Sequence, residues 1–282
     1  MDDLVLVGDL PPAFTASVGR TLANYTIAFL QLEADAVDSP VDLLGSGVLV
    51  TVEGTSAILT AHHVLDVLPR FGRLGLFLGQ TNAPHTIDTQ GVAFVKIDRG
   101  TTESLGPDLG ALILSPNIAS AIAATKSFYN LSSRRELMLQ APPDLRDGVW
   151  FANGFLAERT RITQEPDRVR PTKWFYNFSG IGGPDHSPNL GLYDYFEFPV
   201  SYEARREAPE NWGGMSGGGL WQVPLKREDG VLASLPPLLS GIVFYQQPTT
   251  PTQCGVRAHG RRSVYEIAYE SIRGRTLTRG GR

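Results

Sequence analysis

The chain contains a single cysteine, Cys254, and therefore cannot form an internal disulfide. It has no run of about 18 apolar residues, which argues against a membrane-spanning helix. The opening residues, Met1–Asp3, bring neither a basic segment nor a long apolar one, so the sequence predicts no signal peptide. Together these absences predict a protein of a reducing cytoplasm that has no membrane partner.

The chain also lacks an excess of basic charge. Its 25 lysines and arginines stand against 29 aspartates and glutamates, so no global charge favours a nucleic acid or an acidic membrane surface as partner. Seven arginines do lie in the last 26 residues, where we expect a solvated helix face and a basic tail at residues 276–282. They are Arg257, Arg261, Arg262, Arg273, Arg275, Arg279 and Arg282.

The composition favours short strands joined by turns. The 282 residues are 42% hydrophobic, which is enough for a sizeable core in one large domain or two smaller ones. The 30 glycines and 20 prolines are scattered, which suits turns between strands better than a helical bundle. After an N-terminal extension at residues 1–20, residues 21–115 predict a first barrel of six strands. These strands are Thr26–Leu32, Gly47–Val52, Ser56–Ala61, Leu74–Leu78, Val92–Ile97 and Leu109–Leu114.

A different pattern begins at Ser115, which stands at a helix N-cap position with Pro116 behind it and so predicts a short helix. We assign residues 116–145 to a linker and residues 146–260 to a second barrel. Ser263–Ile272 has apolar residues at helical spacing and predicts a terminal helix within residues 261–275. The strands predicted for the second barrel are Val149–Phe155, Lys173–Phe178, Tyr193–Val200, Gly219–Val223 and Leu238–Tyr245.

Three short motifs supply a histidine, an aspartate and a glycine-flanked serine, in that order. They are Thr60–Val64 (TAHHV), Pro107–Leu112 (PDLGAL) and Gly214–Gly218 (GMSGG). A serine hydroxyl is a weak nucleophile at neutral pH, so it needs a base to take its proton and a third group to hold that base in the right tautomer. The motifs provide one residue for each of these roles.

The order of these motifs and the residues within them resemble those of the trypsin/chymotrypsin family of serine proteases. The resemblance covers roughly residues 25–272 and implies an all-β fold of two six-stranded antiparallel β-barrels with a C-terminal helix. It also implies a serine endopeptidase, of a bacterial cytoplasmic type, that cleaves protein or peptide substrates through an acyl-enzyme intermediate without a cofactor. An intracellular protease has to be controlled, which predicts a regulatory partner as well.

By the family's motif, His63 rather than His62 is the general base, because it directly precedes the small apolar residue Val64. Adjacent residues leaving a strand point to opposite sides, so we expect one of the two imidazoles to face the nucleophile. Asp108 heads an apolar strand and is expected to orient that imidazole and to stabilise the imidazolium. Ordinary surface or core positions are expected for the other histidines, His85, His186 and His259.

Ser216 is the expected nucleophile, and the backbone N–H groups of Gly214 and Ser216 are the expected oxyanion hole. The Gly-x-Ser-x-Gly pattern also matches the nucleophile elbow of α/β-hydrolases, but the glycines at 217–219 are a poor helix start and only His259 follows as a base. No Lys-Ser/Thr follows, so a phosphate-binding loop is not predicted. Met215 stands where animal trypsins carry an aspartate that pairs with a newly cut N-terminus, so activation by that salt bridge is not expected.

Substrate specificity is predicted from register with the family's motif. Glu210 lies where trypsins carry the acidic floor of the S1 pocket, which would favour Arg or Lys at P1; the alternative is a loop glutamate in solvent. Phe244, Tyr245 and Gln246 are expected to bind substrate, because their run resembles the strand that pairs with an extended peptide. No metal site is predicted, since adjacent histidines lack the i,i+4 spacing of a helical zinc motif and the one cysteine stands alone.

Two other functions use the same residues. A protein-binding module on this fold would carry a silent triad, because fold does not guarantee activity. An esterase would use the same acyl-enzyme chemistry, because the triad does not choose between ester and amide. A fluorophosphonate probe separates the hydrolases from the module, and a peptide library separates the protease from the esterase.

Overall fold

Two curled, largely antiparallel β-sheets form the framework of the chain. The computed structural model describes residues 10–32, 42–70, 72–79, 85–163, 172–200, 209–228, 231–247 and 254–275. The predicted basic tail at residues 276–282 lies outside the described residues.

The first sheet has eight strands and curls into a half-barrel. Seven strands run in the order β5-β4-β1-β2-β3-β7-β6, and β8 pairs in parallel with β2. Glu53 and Gly54 both have positive φ, 46° and 86°, which is the geometry of a tight hairpin turn between β2 and β3. The strands are β1 (Thr26–Leu30), β2 (Leu43–Val52), β3 (Thr55–Thr60), β4 (Arg73–Phe77), β5 (His85–Asp88), β6 (Val92–Arg99), β7 (Asp108–Leu114) and β8 (Tyr129–Asn130).

The second sheet has seven strands, six of which close into a ring. Its order is β12-β9-β15-β18-β19-β14-β13, and the pairing of Gly182 with Val200 joins β12 to β14. Two separate two-stranded ribbons, β10–β11 and β16–β17, extend from it. The strands are β9 (Val149–Phe155), β10 (Arg161–Thr163), β11 (Thr172–Trp174), β12 (Asn177–Gly182), β13 (Asp185–Leu190), β14 (Tyr193–Val200), β15 (Gly219–Val223), β16 (Leu225–Glu228), β17 (Val231–Ser234), β18 (Leu238–Gln246) and β19 (Cys254–His259).

Short helices connect and cover the sheets. A proline begins both α1 and α3, where its missing N–H and fixed φ cost nothing. The carboxylate of Asp194 accepts the backbone N–H groups of Arg262 and Ser263 and so caps the start of the terminal helix. No helix in the described ranges is long and apolar enough to cross a membrane. The helices are α1 (Pro12–Ala23), α2 (His62–Val67), α3 (Pro116–Ala123), α4 (Arg135–Gln140) and a π-helical segment (Ser263–Ala268) that continues as α5 (Tyr269–Ile272).

Buried contacts join the two sheets along one seam. The indole of Trp221 on β15 lies against Tyr129 of β8 and Tyr25, with ring centroids 5.2 and 5.5 Å apart. The hydroxyl of Thr26 on β1 donates to Asn153 of β9 at 2.6 Å. Aromatic packing with a satisfied buried hydrogen bond fixes the relative position of the sheets, which matters because each contributes residues to the site described below.

The fold class predicted from the sequence, all-β with two barrels and a C-terminal helix, is confirmed. The structure differs from the prediction of six strands in each barrel. The first sheet is an eight-stranded half-barrel, and only the second sheet closes into a ring of six strands. The region predicted as one strand, Lys173–Phe178, is divided between β11 and β12.

Candidate active site

His63 and Asp108 are brought together by the pairing of β3 with β7. Thr60 pairs with Gly110, so the residues just after β3 lie beside the first residue of β7, which is Asp108. His63 Nδ1 lies 2.5 Å from Asp108 Oδ2, and the backbone N–H of His63 donates to Oδ1 at 2.9 Å. One residue therefore engages both carboxylate oxygens, which fixes the imidazole and the carboxylate relative to each other.

Asp108 is ionised in this setting. Its residue is only 4% exposed, and burial by itself would raise the pKa of the carboxyl group; the hydrogen bond and the charge of His63 outweigh that effect and hold the pKa below its ordinary value. An ionised carboxylate accepts a hydrogen bond from the Nδ1–H of His63, and in the neutral form of the imidazole this leaves the lone pair on Nε2. The pair therefore presents an imidazole in the tautomer that a general base needs.

His62 and His63 both lie in the first turn of α2, not in an extended segment as the sequence analysis assumed. Neighbouring side chains of a helix point about 100° apart, so the two imidazoles still face different directions, because of the helix rather than a strand. His62 is buried, and its Nε2 lies 3.7 Å from Asp66 one turn along the same helix. The side chain of His63 is 36% exposed and faces Asp108.

Replacing each histidine in turn tests this assignment. We expect His63→Ala to lower kcat by about 10⁴-fold or more, because the base is lost, and His62→Ala to stay within about threefold of wild type. Steady-state hydrolysis of a peptide substrate measures both, and each variant is the control for the other. Loss of activity in His62→Ala with retention in His63→Ala would reverse the assignment.

Ser216 lies in the loop before β15 and is held against the first sheet. The backbone N–H of Ser46 on β2 donates to its carbonyl at 2.8 Å. A Cβ on Gly45 would stand 3.2 Å from the Ser216 carbonyl oxygen and 2.7 Å from a methyl of Val64, so only glycine lets this loop and α2 approach each other. The serine is thereby placed beside the helix that carries His63.

The hydroxyl of Ser216 does not reach the imidazole in this structure. Its hydrogen-bond partner is the carbonyl of Phe244 on β18, at 3.5 Å, and no hydrogen bond joins Ser216 to His63. Of the three expected catalytic residues, the structure joins two directly and brings the third to the same seam. Catalytic hydrogen bonds are often long in the absence of substrate and shorten when it binds.

The two expected oxyanion donors have no acceptor among the described residues. The carbonyl of Gly213 accepts the N–H of Ala157 at 2.8 Å, and since the C=O and N–H of a trans peptide point in opposite directions, the N–H of Gly214 points away from Ala157. Gly214 has φ 92°, and a Cβ there would stand 2.3 Å from Leu43. The loop thus leaves the N–H groups of Gly214 and Ser216 available to a ligand oxygen.

Met215, between those donors, is buried against the second sheet. It is 1% exposed, and its sulfur lies 2.6 Å from where a Cβ of Gly154 would be. A thioether forms no ion pair, so the conformation of this loop is set by packing and backbone hydrogen bonds.

The expected substrate-binding residues lie in two groups. Glu210 is exposed, and its backbone carbonyl accepts the side-chain amide of Gln246 at 3.3 Å. The carbonyl of that amide accepts the N–H of Trp212 at 3.0 Å. Tyr245 and Gln246 are half-buried on β18, whereas Phe244, the residue before them on the strand, is fully buried. The structure brings Gln246 to the Glu210 loop and leaves the Glu210 carboxylate in solvent; the roles of these residues stay predictions.

A residue that sequence reasoning missed contacts the Asp108 backbone. The Asp108 N–H donates to Nε2 of His259 at 3.0 Å, and His259 is completely buried. Burial lowers the pKa of His259 to about 4, so its ring is neutral at physiological pH. No sequence signal could have found this contact, because the residues are 151 positions apart and no strand was predicted for Cys254–His259.

Fold and site together define an all-β protein of chymotrypsin-like architecture, with a His–Asp pair and a glycine-flanked serine at the seam of its two sheets. Within the described ranges, no group of three or more His, Cys, Asp or Glu side chains is arranged to hold a metal ion.

Comparisons with known proteins find likeness only among solved structures. No model of a protein family matches the chain, and no curated protein matches it. It is similar to Rv3671c from M. tuberculosis H37Rv in the inactive form of a serine-to-alanine mutant, at 12% identity over 97% of this chain and 99% of that chain, with a TM-score of 0.45. It is similar to a serine endoprotease from Yersinia pestis, at 16% identity over 94% and 68%, with a TM-score of 0.49.

A third similar chain comes from a structure concerning the coupled folding and binding of the Sesbania mosaic virus VPg protein. The identity is 14% over 94% of this chain and 93% of that chain, with a TM-score of 0.44. Matches this distant carry no argument about what the present chain does.

Proposed function

We propose that the chain is a serine endopeptidase that cleaves peptide bonds through an acyl-enzyme intermediate, with His63 as general base, Asp108 as orienting carboxylate and Ser216 as nucleophile. The observation that carries the proposal is the contact between His63 Nδ1 and Asp108 Oδ2 at 2.5 Å. In the neutral imidazole that contact keeps the proton on Nδ1, so Nε2 is the nitrogen that can act as base beside the Ser216 loop.

In the proposed mechanism, His63 Nε2 takes the proton of the Ser216 hydroxyl as Oγ attacks the carbonyl carbon of the scissile bond. The carbonyl π electrons move onto the oxygen, which accepts hydrogen bonds from the N–H groups of Gly214 and Ser216. The imidazolium, stabilised by the ionised Asp108, then gives its proton to the leaving amine and the acyl-enzyme forms. Water then attacks the carbonyl carbon of the acyl group and gives a proton to His63. The bond between the acyl group and Ser216 Oγ breaks, His63 returns the proton to Oγ, and the acid is released.

Substrate binding has to turn the Ser216 hydroxyl from the Phe244 carbonyl towards His63. The contact to be broken is 3.5 Å long and therefore weak. Rotation about the Cα–Cβ bond redirects the hydroxyl while the Ser46 N–H still holds the backbone carbonyl of Ser216.

One observation favours a second candidate, a protein-binding module with a silent triad: the missing hydrogen bond between Ser216 and His63. Fluorophosphonate labelling followed by intact-mass measurement distinguishes the two. The endopeptidase is expected to gain one adduct per chain, and a silent module gains none. If wild type labels, fresh unlabelled protein is then assayed against a peptide library and an ester series, where cleavage of esters alone would favour the esterase.

The preference for the P1 residue tests the proposed role of Glu210. If its carboxylate meets the P1 side chain, Arg and Lys peptides are cleaved best, and Glu210→Gln lowers kcat/KM for them by about tenfold while apolar P1 peptides are unaffected. Glu270→Gln on α5 is the matched control. A library profile that favours Leu, Phe or Ala, unchanged in Glu210→Gln, would leave the glutamate as a solvated loop residue.

A further inference from the structure

His259 links the second sheet to the aspartate of the first. It is the last residue of β19, whereas Asp108 is the first residue of β7. The Asp108 backbone N–H donates to His259 Nε2 at 3.0 Å, and both residues are buried. Asp108 is therefore held twice: its carboxylate by His63 and its main chain by His259.

The donor fixes the tautomer of the buried ring. An N–H group needs an acceptor, so Nε2 of His259 carries a lone pair and the neutral ring carries its proton on Nδ1. Nδ1 has no partner in the described part of the chain. A buried unpaired N–H is costly, so this orientation is not the one that the ring's own hydrogen bonding would select. What the orientation does satisfy is the Asp108 amide.

Aromatic packing prevents the ring from following any movement of Asp108. The ring centroid of His259 lies 4.8 Å from that of Phe244, 5.1 Å from Tyr195 and 5.6 Å from Tyr193. The chain after the ring is anchored too, because the Gly260 N–H donates to the carbonyl of Asp194 at 2.7 Å. His259 is thus a fixed acceptor on the second sheet.

The same packing reaches the serine. Phe244, which lies against the His259 ring, supplies the carbonyl that faces the Ser216 hydroxyl. The second sheet therefore positions Ser216 and the start of β7 through one rigid cluster of rings.

We infer that His259 is a positioning residue that fixes the main chain of Asp108, so that its carboxylate stays on His63 Nδ1 while charge develops on the imidazole. The inference rests on the proposed function, because its catalytic consequence requires the His63–Asp108 pair to act in acyl transfer.

Two substitutions separate the acceptor from the ring. His259→Phe keeps a ring and removes the acceptor, and it should lower kcat by about 10- to 100-fold with KM little changed, because the orientation of Asp108 matters most in the transition state. His259→Gln keeps an acceptor oxygen and should recover to within about threefold of wild type. His85→Phe, on the edge strand β5 of the first sheet, is the control for replacing a histidine by phenylalanine and should match wild type.

Nuclear magnetic resonance measures a quantity, the His63 proton resonance, that should not change if His259 only stabilises the fold. The strongly hydrogen-bonded Nδ1 proton of His63 should be seen in wild type and His259→Gln and should be lost or shifted in His259→Phe. In wild type, the ring nitrogen shifts should show His259 neutral, protonated on Nδ1 and unprotonated on Nε2. This last measurement decides the inference even if His259→Phe does not fold.

The inference is overturned if wild-type His259 carries its proton on Nε2, or if His259→Phe folds and keeps both its kcat and the His63 resonance. Failure of the proposed function looks different. In that case wild type itself neither labels nor hydrolyses peptides, while the spectra still show whether His259 holds Asp108.

Discussion

Ser216→Ala should abolish peptide hydrolysis and covalent labelling by a fluorophosphonate, with kcat falling by about 10⁶-fold. The substitution removes the oxygen that we propose forms the acyl bond. The hydroxyl makes one weak contact, at 3.5 Å to Phe244, and the Ser46 N–H bonds the backbone carbonyl that alanine keeps. We therefore expect the thermal unfolding midpoint to stay at its wild-type value.

Ser120→Ala, on the exposed face of α3, is the matched control and should label and cleave like wild type. Intact-mass spectrometry counts the adducts in each protein. Stoichiometric labelling of Ser216→Ala would mean that another residue is the nucleophile.

Asp108→Asn should lower kcat by about 10⁴-fold, the size found where the same change forces the wrong tautomer in a serine protease. In this chain the reason is specific. The backbone N–H of His63 needs an oxygen acceptor at 2.9 Å, so the amide of Asn would turn its NH₂ towards Nδ1. Nδ1 would then have to accept, which moves the ring proton to Nε2 and removes the base.

Steady-state kinetics on the best library peptide measures the loss, and near-ultraviolet circular dichroism checks that the variant is folded. Asp88→Asn is the control, since Asp88 is exposed, lies outside the three site motifs and caps a short turn through the Gln90 N–H. A wild-type kcat in folded Asp108→Asn would remove the aspartate from the mechanism.

Apolar runs bounded by turn residues predict the first and last residues of several strands correctly. Val149–Phe155, Tyr193–Val200 and Gly219–Val223 have the predicted bounds, because in each the apolar run and the ladder of hydrogen bonds end together. The pattern fails where pairing depends on distant partners. Cys254–His259 contains glycine, arginine and histidine, and its strand exists because β14 and β18 flank it.

Helices were harder to predict than strands. The proline pair at residues 11–12 predicts an extension, yet Pro12 begins α1, since proline is well placed in a first helical turn. The histidine motif predicts residues that leave a strand, whereas six residues, His62–Val67, form α2. So short a helix has too little apolar periodicity to be visible in the sequence.

The local motifs of the sequence predict which residues form the candidate site, but not the contacts between them. His63 and Asp108, 45 residues apart in the chain, meet because β3 and β7 pair. The apolar runs of these two strands are consistent with that pairing but do not require it. The direction of the Ser216 hydroxyl depends on the carbonyl of Phe244, and the Asp108 amide depends on His259. Both are contacts across the sheets, which only the assembled core determines.

In the proposed mechanism, a substrate carbonyl acylates Ser216 with His63 as the base. Rapid mixing with an activated ester or the best peptide substrate, followed by acid quenching and mass spectrometry of the fragments, detects this acyl-enzyme itself. We expect an acyl group on Ser216 that forms in wild type, accumulates within the first turnover and is absent from His63→Ala. A wild-type protein that turns over substrate with no acyl group on Ser216, or with one on a different residue, would contradict this mechanism.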